Sequence, residues 1–208
     1  MGSSGRVGRP PAGNSDETRR QILGAARVRF ARDGYRATTN KLIAADVGIT
    51  TTAIYHYVDS KAALYSAVYC DTIDRVYTEF ELAAAGESHL LARFSAVLRR
   101  ANELQVADPS IVGFIVAVAQ ETQRHPDLLA LLRPQRGRHQ RFFNELVAAA
   151  AANGELQPDV DQVALADLLG AVLTGLARMT NIAGDPSRYT AAVDALERFF
   201  DGTLVTSR

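Results

Sequence analysis

From Asp16 onward, apolar residues recur at the three- and four-residue spacing of amphipathic helices, and residues that end helices interrupt the pattern at intervals. Ile22, Ala26 and Phe30 show the spacing in its simplest form, since they fall on one face of a helix. The interruptions are glycines, or prolines preceded by a capping residue. No stretch predicts a strand, and no segment repeats another. The sequence therefore predicts an all-α fold of about nine helices.

The first helix should begin after Ser15 or Asp16 and end at Asp33-Gly34, where glycine accepts a positive φ. A second short helix should follow Thr38 or Thr39 and end near Asp46. The remaining helices are expected over 50–57, 61–85, 88–107, 110–124, 127–152, 160–182 and 187–204.

Charge is unevenly distributed along a chain whose net charge is zero. Residues 1–66 hold ten basic and five acidic side chains, whereas residues 67–208 hold thirteen basic and eighteen acidic ones. A basic part joined to an acidic body is typical of a DNA-binding head on a separate domain. We expect a flexible basic arm over 1–15, a DNA-binding domain, or head, over 16–66 and a helical body over 67–208.

The composition is that of an ordinary globular protein, with 47% hydrophobic and 22% charged residues. Cys70 is the single cysteine, which excludes an intrachain disulfide framework. We find neither the apolar core of a signal peptide nor an apolar run near the roughly 20 residues of a membrane helix. A cytoplasmic location is therefore expected.

The stretch from Thr38 to Lys61 contains two short helices separated by a tight turn at Asp46-Val47-Gly48, which is the layout of a helix-turn-helix. Ala44 is small where the helices must cross closely. The second helix could then enter a DNA major groove and present Thr51 and Thr52 to base edges. Side chains placed lower on it, near phosphates or thymine methyl groups, are Tyr55, His56 and Tyr57.

The same stretch carries a set of residues in continuous register over about residues 18–68: Phe30-Ala31, Gly34-Tyr35, Thr38-Thr39, Ile43-Ala44, Gly48-Ile49-Thr50, Ile54-Tyr55, Ser60-Lys61 and Leu64. This set resembles the N-terminal signature of TetR-family transcriptional regulators. Three residues depart from that signature, namely Val58 in place of phenylalanine, Asp46 in place of a small residue, and Thr52 in place of glycine or proline. The resemblance implies a dimeric, ligand-released repressor that binds a palindromic operator and is not an enzyme.

Carried over residue by residue, the resemblance places one group of side chains in the groove and another at phosphates. The groove-facing positions are Thr51, Thr52, Tyr55 and His56. Phosphate contacts are implied for Tyr57, for Lys61 and for one of Thr38 and Thr39. Thr50, the cap of the helix that enters the groove, is also expected among the DNA-binding residues. For Tyr57 a packing role is equally open, and Lys61 could instead be a solvated surface lysine.

The N-terminal arm offers a second route to DNA. Arg6-Val7-Gly8-Arg9-Pro10 resembles the Gly-Arg-Pro core of AT-hooks, in which arginine enters a narrow minor groove. Electrostatic tethering to phosphates by Arg6 and Arg9 explains the same residues equally well.

In the body, the last two helices resemble the dimerisation helices of the family. Their apolar and small residues predict either a four-helix bundle between two protomers or an intramolecular core. The residues expected at a dimer interface are Val163, Ala166, Leu169, Gly170, Leu173, Leu176, Leu196, Phe199 and Phe200.

A pocket for an apolar or amphipathic effector is expected among the middle helices, because a mostly apolar pocket with a few polar groups is the usual small-molecule site. The apolar candidates, each of which could equally be a core residue, are Phe94, Leu98, Phe114, Val118, Phe142 and Phe143. The polar candidates are Gln120, Asn144 and Arg178.

The two alternatives to a DNA-binding regulator are an enzyme and a sensor or scaffold protein. The chain has no nucleophile elbow, no glycine-rich phosphate loop and no zinc-protease motif, and its four histidines lack metal-ligand spacing, so we expect no enzyme, cofactor or metal. A sensor or scaffold that retains the helix-turn-helix without binding DNA would show the same fold. The basic head argues against it, and the sequence does not distinguish repression from activation.

Overall fold

A computed structural model describes residues 12–183 and 185–204, and over these residues the chain forms nine α-helices and no strand. The helices are α1 (Ala12–Ala37), α2 (Asn40–Val47), α3 (Thr51–Ile54), α4 (Lys61–Ala85), α5 (Leu90–Ala107), α6 (Pro109–Arg124), α7 (Pro126–Ala152), α8 (Gln162–Ala183) and α9 (Pro186–Phe200). The all-α prediction is confirmed, and most predicted helix ends agree with the observed ones to within two residues.

Three helices differ from the prediction. α9 ends at Phe200, four residues before the predicted end, and α1 begins at Ala12, ahead of the predicted cap. α1 is interrupted at Gly34 (φ 78°, ψ 171°), as expected for a glycine stop, but a further helical segment continues to Ala37. α3 ends at Ile54, three residues before the predicted end. It ends early because the amides of Tyr57 and Val58 both bond to the Ile54 carbonyl oxygen, which closes the chain into a turn.

Side-chain caps fix the starts of the helices in the head. The hydroxyls of Thr39, Thr50 and Ser60 each accept a hydrogen bond from the backbone amide three residues later. Each cap satisfies an amide that has no partner within its own helix. Local sequence alone therefore fixes where α2, α3 and α4 begin.

The head and the body share one core. α1 packs along α6 and also against α4, and the rings of Phe30, Tyr65 and Phe114 meet where these three helices converge. Ring centroids lie 4.8 Å apart for Phe30 and Tyr65 and 5.1 Å apart for Tyr65 and Phe114, both edge to face. All three rings are fully buried and closely packed, so a change in the position of α6 would displace the side chains that α1 packs against.

Candidate functional site

The turn between α2 and α3 sets which side chains the head exposes. Gly48 adopts a left-handed conformation (φ 75°, ψ 27°), and the Ile49 amide bonds to the Ala44 carbonyl oxygen at 3.0 Å. Ile43, Ala44 and Ile54 are buried beneath this turn. The opposite face of α3 and the turn after it expose Thr51, Thr52, Tyr55 and His56 to solvent.

An ion pair between α1 and α2 explains one departure from the family signature. Asp46 accepts two hydrogen bonds from Arg29, at 2.6 Å to Nε and 2.7 Å to Nη2. This two-point contact fixes the orientation of α2 against α1. The hydrogen bond from Arg29 also lowers the pKa of Asp46 below its ordinary value.

The threonines before and within the turn have different roles. The Thr38 side chain is fully buried and donates to the Gly34 carbonyl oxygen at 2.8 Å, so of Thr38 and Thr39 only Thr39 has a hydroxyl at the surface. Thr39 is exposed, as is Thr50. Tyr57 is half-buried and packs against the core, which supports the packing role that the sequence left open.

Lys61 is engaged within the chain and is not a solvated side chain, while its phosphate contact stays a prediction. Its ammonium donates to the carbonyl oxygens of Tyr35 at 3.0 Å, Thr38 at 3.1 Å and Arg36 at 3.4 Å. It also lies 4.4 Å from the centre of the Tyr35 ring. Burial lowers the pKa of Lys61, although the charge of Glu121 opposes this. The side chain therefore acts as a C-terminal cap on α1.

The head exposes a second lysine that was not among the residues predicted to contact DNA. Lys41, in the first turn of α2, is exposed, and within the described residues no hydrogen bond or ion pair engages its ammonium. Its position at the start of the first helix of the motif was the available signal, and the family signature does not include it. The arm residues Arg6 and Arg9 lie outside the described residues.

The body contains an apolar cavity of about 200 Å³ that is lined by five helices and opens to solvent at Thr174 and Arg178. α6 supplies five lining residues, more than any other helix, and they are Ile111, Val112, Ile115, Val116 and Ala119. The polar lining groups are the side chains of Tyr77, His139, Thr174 and Arg178. Further apolar lining comes from Ile73, Val76, Phe80, Ala101, Leu104, Leu173 and Ala177.

Of the expected pocket residues, Arg178 alone lines this cavity. The aromatic and leucine candidates fill the packed core instead, because each is buried against neighbouring side chains, and they are Phe94, Leu98, Phe114, Phe142 and Phe143. Val118 packs at the edge of that core. Gln120 lies in a separate cleft beside α1, and Asn144 is exposed beside Gln140.

The expected dimer residues divide between two faces of α8 and α9. Val163 and Phe199 are more than 60% exposed, and Leu168, which the sequence analysis omitted, is 57% exposed. By contrast, four of the expected residues are buried within the chain, namely Ala166, Leu169, Gly170 and Leu173. Leu176, Leu196 and Phe200 are partly buried against the core.

The segment Gln162–Thr180 of α8 is, by length and composition, apolar enough to cross a membrane, contrary to the expectation that no stretch is. Only 28% of this segment is buried within the chain. Its inner face packs on α7, so the helix belongs to the helical body and carries an additional apolar face that is uncovered.

The described residues contain no group of three or more His, Cys, Asp and Glu side chains arranged to hold a metal ion.

Comparison with known proteins agrees with this architecture. Residues 22–68 match the model for bacterial regulatory proteins of the tetR family, and residues 88–196 match the tetracyclin repressor-like C-terminal domain. The HTH-type transcriptional regulator UidR of Escherichia coli is 24% identical over 191 residues, which cover 91% of this chain and 94% of UidR.

Solved structures show the same fold. A TetR transcriptional regulator from Chloroflexus aurantiacus superposes with a TM-score of 0.76 and 26% identity, covering 91% of this chain and 96% of that one. FadR from Bacillus subtilis, in complex with stearoyl-CoA, gives a TM-score of 0.73 at 14% identity, covering 85% and 96%. With both its head and its body matched, the chain belongs to the TetR family of helix-turn-helix transcriptional regulators.

Proposed function

We propose that the protein is a homodimeric repressor that binds a palindromic DNA operator and releases it when a small molecule occupies the body cavity. The observation that carries this proposal is the placement of α6, which lines the cavity and is bonded to the head near both of its ends. Operator binding by a helix-turn-helix protein also implies a cytoplasmic location.

The DNA-binding face combines the exposed side chains around α3 with the exposed cation on α2. Tyr55 is 52% exposed although it is a large aromatic residue, which is the placement expected of a side chain that packs on DNA. Thr51, Thr52 and His56 provide hydrogen-bonding groups beside it. Lys41 and Thr39 are placed for phosphate contacts, which position the head without reading sequence.

Two heads are needed because a reader of this kind contacts successive half-sites about one helical turn, or a multiple of it, apart. The uncovered apolar face of α8 and α9, centred on Val163, Leu168 and Phe199, is the surface that a second copy would cover. Burial of this face in a four-helix bundle would also explain why α8 is strongly apolar yet mostly exposed in the single chain.

At the N-terminal end of α6, Arg27 of α1 bonds to Asp108 at 2.5 Å and to Ser110 at 3.0 Å. Asp108 is also the N-cap of α6, since it accepts a hydrogen bond from the Ser110 amide. Arg27 is 7% exposed and the Asp108 side chain 30% exposed, so this contact is partly shielded from water. The head is therefore fastened to the first turn of the helix that lines the cavity.

At the other end of α6, the buried carboxylate of Glu121 accepts a hydrogen bond from the Tyr35 amide at 3.1 Å. Gly34 makes this approach possible, because a Cβ at that position would lie 3.0 Å from the Glu121 carboxylate. A ligand that moves α6 would thus move α1 and, through it, the helix-turn-helix. Such a ligand shifts the equilibrium only by its difference in affinity for the two conformations.

The fold relationship to FadR supports a body-bound effector, since that protein was solved with stearoyl-CoA. At 14% identity the two chains share the fold, and the residues that line this chain's own cavity determine which effector fits it.

The test is selection of DNA by the full-length protein from genomic fragments that include the sequence flanking its own gene, at two salt concentrations. We expect one palindromic site to be recovered and its affinity to fall at least tenfold in Tyr55→Ala. Leu82→Ala is the matched control, because Leu82 is an exposed apolar residue on α4, outside the helix-turn-helix. Weak binding that ignores sequence and collapses with salt would overturn the proposal in favour of a scaffold or sensor role.

A further inference from the structure

The size of the cavity limits what it can hold. A buried apolar cavity of about 150 Å³ accommodates benzene, which has six non-hydrogen atoms, so about 25 Å³ is needed for each. At that packing, the cavity of about 200 Å³ holds roughly eight non-hydrogen atoms. An acyl chain of eighteen carbons would need about 450 Å³ by the same reasoning, so more than half of it would have to lie outside the cavity, beyond the exposed edge at Thr174 and Arg178. The fitting class is therefore a compact molecule such as a single substituted ring.

The polar groups in the cavity wall form one hydrogen-bonded pair. The Tyr77 hydroxyl lies 2.6 Å from Nδ1 of His139, and both residues line the cavity. Burial lowers the pKa of His139, which favours the neutral imidazole. A neutral Tyr–His pair has two polar protons and uses one of them in its own hydrogen bond. Whichever tautomer is present, the Tyr77 hydroxyl oxygen keeps an acceptor lone pair for another molecule, and in the Nδ1–H tautomer its proton is free as well.

Gly170 on α8 determines where the imidazole lies. A Cβ on this glycine would be 2.6 Å from Nε2 of His139 and 3.3 Å from the ring of Phe143. The absence of a side chain therefore lets the ring rest against α8 while its partner Tyr77 remains at the wall of the cavity. The aromatic contact between His139 and Phe143, with centroids 5.1 Å apart, holds the ring from the other side.

The remaining polar groups of the wall are near solvent. Thr174 and Arg178 are exposed, and Arg178 is the single charged residue among those that line the cavity. A charged ligand group would have to remain at this exposed edge, where an ion pair is worth little. Deeper in the cavity, an ionised group would lose its hydration without an opposite charge to replace it.

We propose that this cavity binds an uncharged, single-ring molecule of roughly eight non-hydrogen atoms whose one hydroxyl or carbonyl oxygen bonds to the Tyr77–His139 pair. This inference rests on the proposed function for its regulatory meaning, but the binding itself is independent of DNA. An alkylphenol or a small cyclic ketone has the required shape and polarity.

The test uses three probes of nearly equal size: 4-methylphenol, para-xylene, in which a methyl group replaces the hydroxyl, and benzoate as the anion. Binding to the full-length protein is measured by titration calorimetry and by the shift in unfolding temperature. We expect 4-methylphenol to bind about tenfold more tightly than para-xylene, as one satisfied hydrogen bond in an apolar site predicts. Tyr77→Phe should abolish this difference and leave para-xylene affinity unchanged.

The matched control is Tyr189→Phe, because Tyr189 is equally buried, its hydroxyl has no partner within the described residues, and it does not line the cavity. That variant should bind all three probes like the original chain. Gly170→Ala should weaken 4-methylphenol binding by displacing His139, and circular dichroism of each variant confirms that it is folded.

Three results would overturn the ligand class: equal binding of para-xylene and 4-methylphenol, tightest binding of benzoate that is lost in Arg178→Gln, or no binding of any probe. Operator release is measured separately with the same probes. Binding of 4-methylphenol that leaves operator affinity unchanged supports the ligand class and refutes the coupling for that ligand. A protein that binds none of the probes but still selects a palindromic site would refute the ligand class and leave the proposed DNA-binding function intact.

Discussion

Replacement of Lys61 by methionine separates two roles for the most constrained lysine of the head. The family resemblance implies a phosphate contact, whereas the structure engages the ammonium with three carbonyl oxygens at the end of α1. Methionine keeps the length of the side chain and its packing on the Tyr35 ring but removes the charge and the three donors. A loss of stability would identify the capping role, and a loss of salt-dependent DNA affinity would identify the phosphate contact.

The magnitude follows from the geometry. A hydrogen bond to a charged group contributes about 1.5–3 kcal/mol, and removal of the cation over Tyr35 costs about 0.5–1 kcal/mol more. The three bonds do not add, because one is long at 3.4 Å, the ammonium is only half-buried and the freed carbonyl oxygens can bind water. We expect Lys61→Met to lower the free energy of unfolding by about 2 kcal/mol, which is roughly 4–8 °C in Tm for a chain of this size.

The assay combines urea denaturation with a salt titration of DNA binding. Each phosphate contact contributes about 0.9 to the slope of log K against log salt, so a dimer that loses one contact in each head should lose about 1.8. Lys41→Met is the matched control: the exposed, unpaired ammonium should change the slope by that amount and leave stability within about 0.5 kcal/mol.

The capping role would be refuted if Lys61→Met left stability unchanged and reduced the salt slope as much as Lys41→Met. In that case the ammonium would have to leave the carbonyl oxygens of α1 on DNA binding, and the three bonds would carry little free energy in the unbound protein.

Arg29→Met should remove part of the acid sensitivity of the head. The lowered pKa of Asp46 stabilises the folded state above pH 3.8, and this contribution is lost as pH falls through the folded pKa. The Tm measured between pH 5 and 2 should therefore fall less in the variant than in the original chain. Leu168→Glu should convert dimer to monomer in sedimentation equilibrium, whereas Leu82→Glu, at a slightly more exposed site on α4, should not. A dimeric Leu168→Glu would exclude the α8–α9 face. In a double-mutant cycle of Arg27→Met and Asp108→Asn, we expect a coupling of about 2 kcal/mol in unfolding free energy, and a coupling near zero would mean that this contact does not fasten α6 to the head.

Much of the head could be predicted because its determinants are local. Thr39, Thr50 and Ser60 cap amides only three residues away, and Gly48 needs no distant partner to adopt a positive φ. The role of Lys61 could not be predicted in this way, because the carbonyl oxygens that it binds belong to residues 23 to 26 positions earlier. Sequence spacing places the lysine on a helix but does not show which chain end lies beside it.

The cavity was beyond prediction for a different reason. Helical periodicity identifies which face of a helix is buried, but Phe94 and Phe143, which fill the core, and Ile115 and Val116, which line the cavity, all satisfy the same pattern. A space remains where side chains from several helices fail to meet, and that depends on the packing of all of them together.

α8 shows how one apolar pattern can serve two purposes that sequence does not separate. Gly170 and Leu173 face inward, one beside His139 and the other at the cavity wall, whereas Val163 and Leu168 on the same helix face solvent. If the outward face is the dimer interface, ligand and partner contact opposite sides of one rigid helix. A ligand that displaces α8 would then change the angle between protomers as well as the position of α6. Because two heads must match two half-sites at fixed spacing, even a small change in that angle would be costly to operator binding.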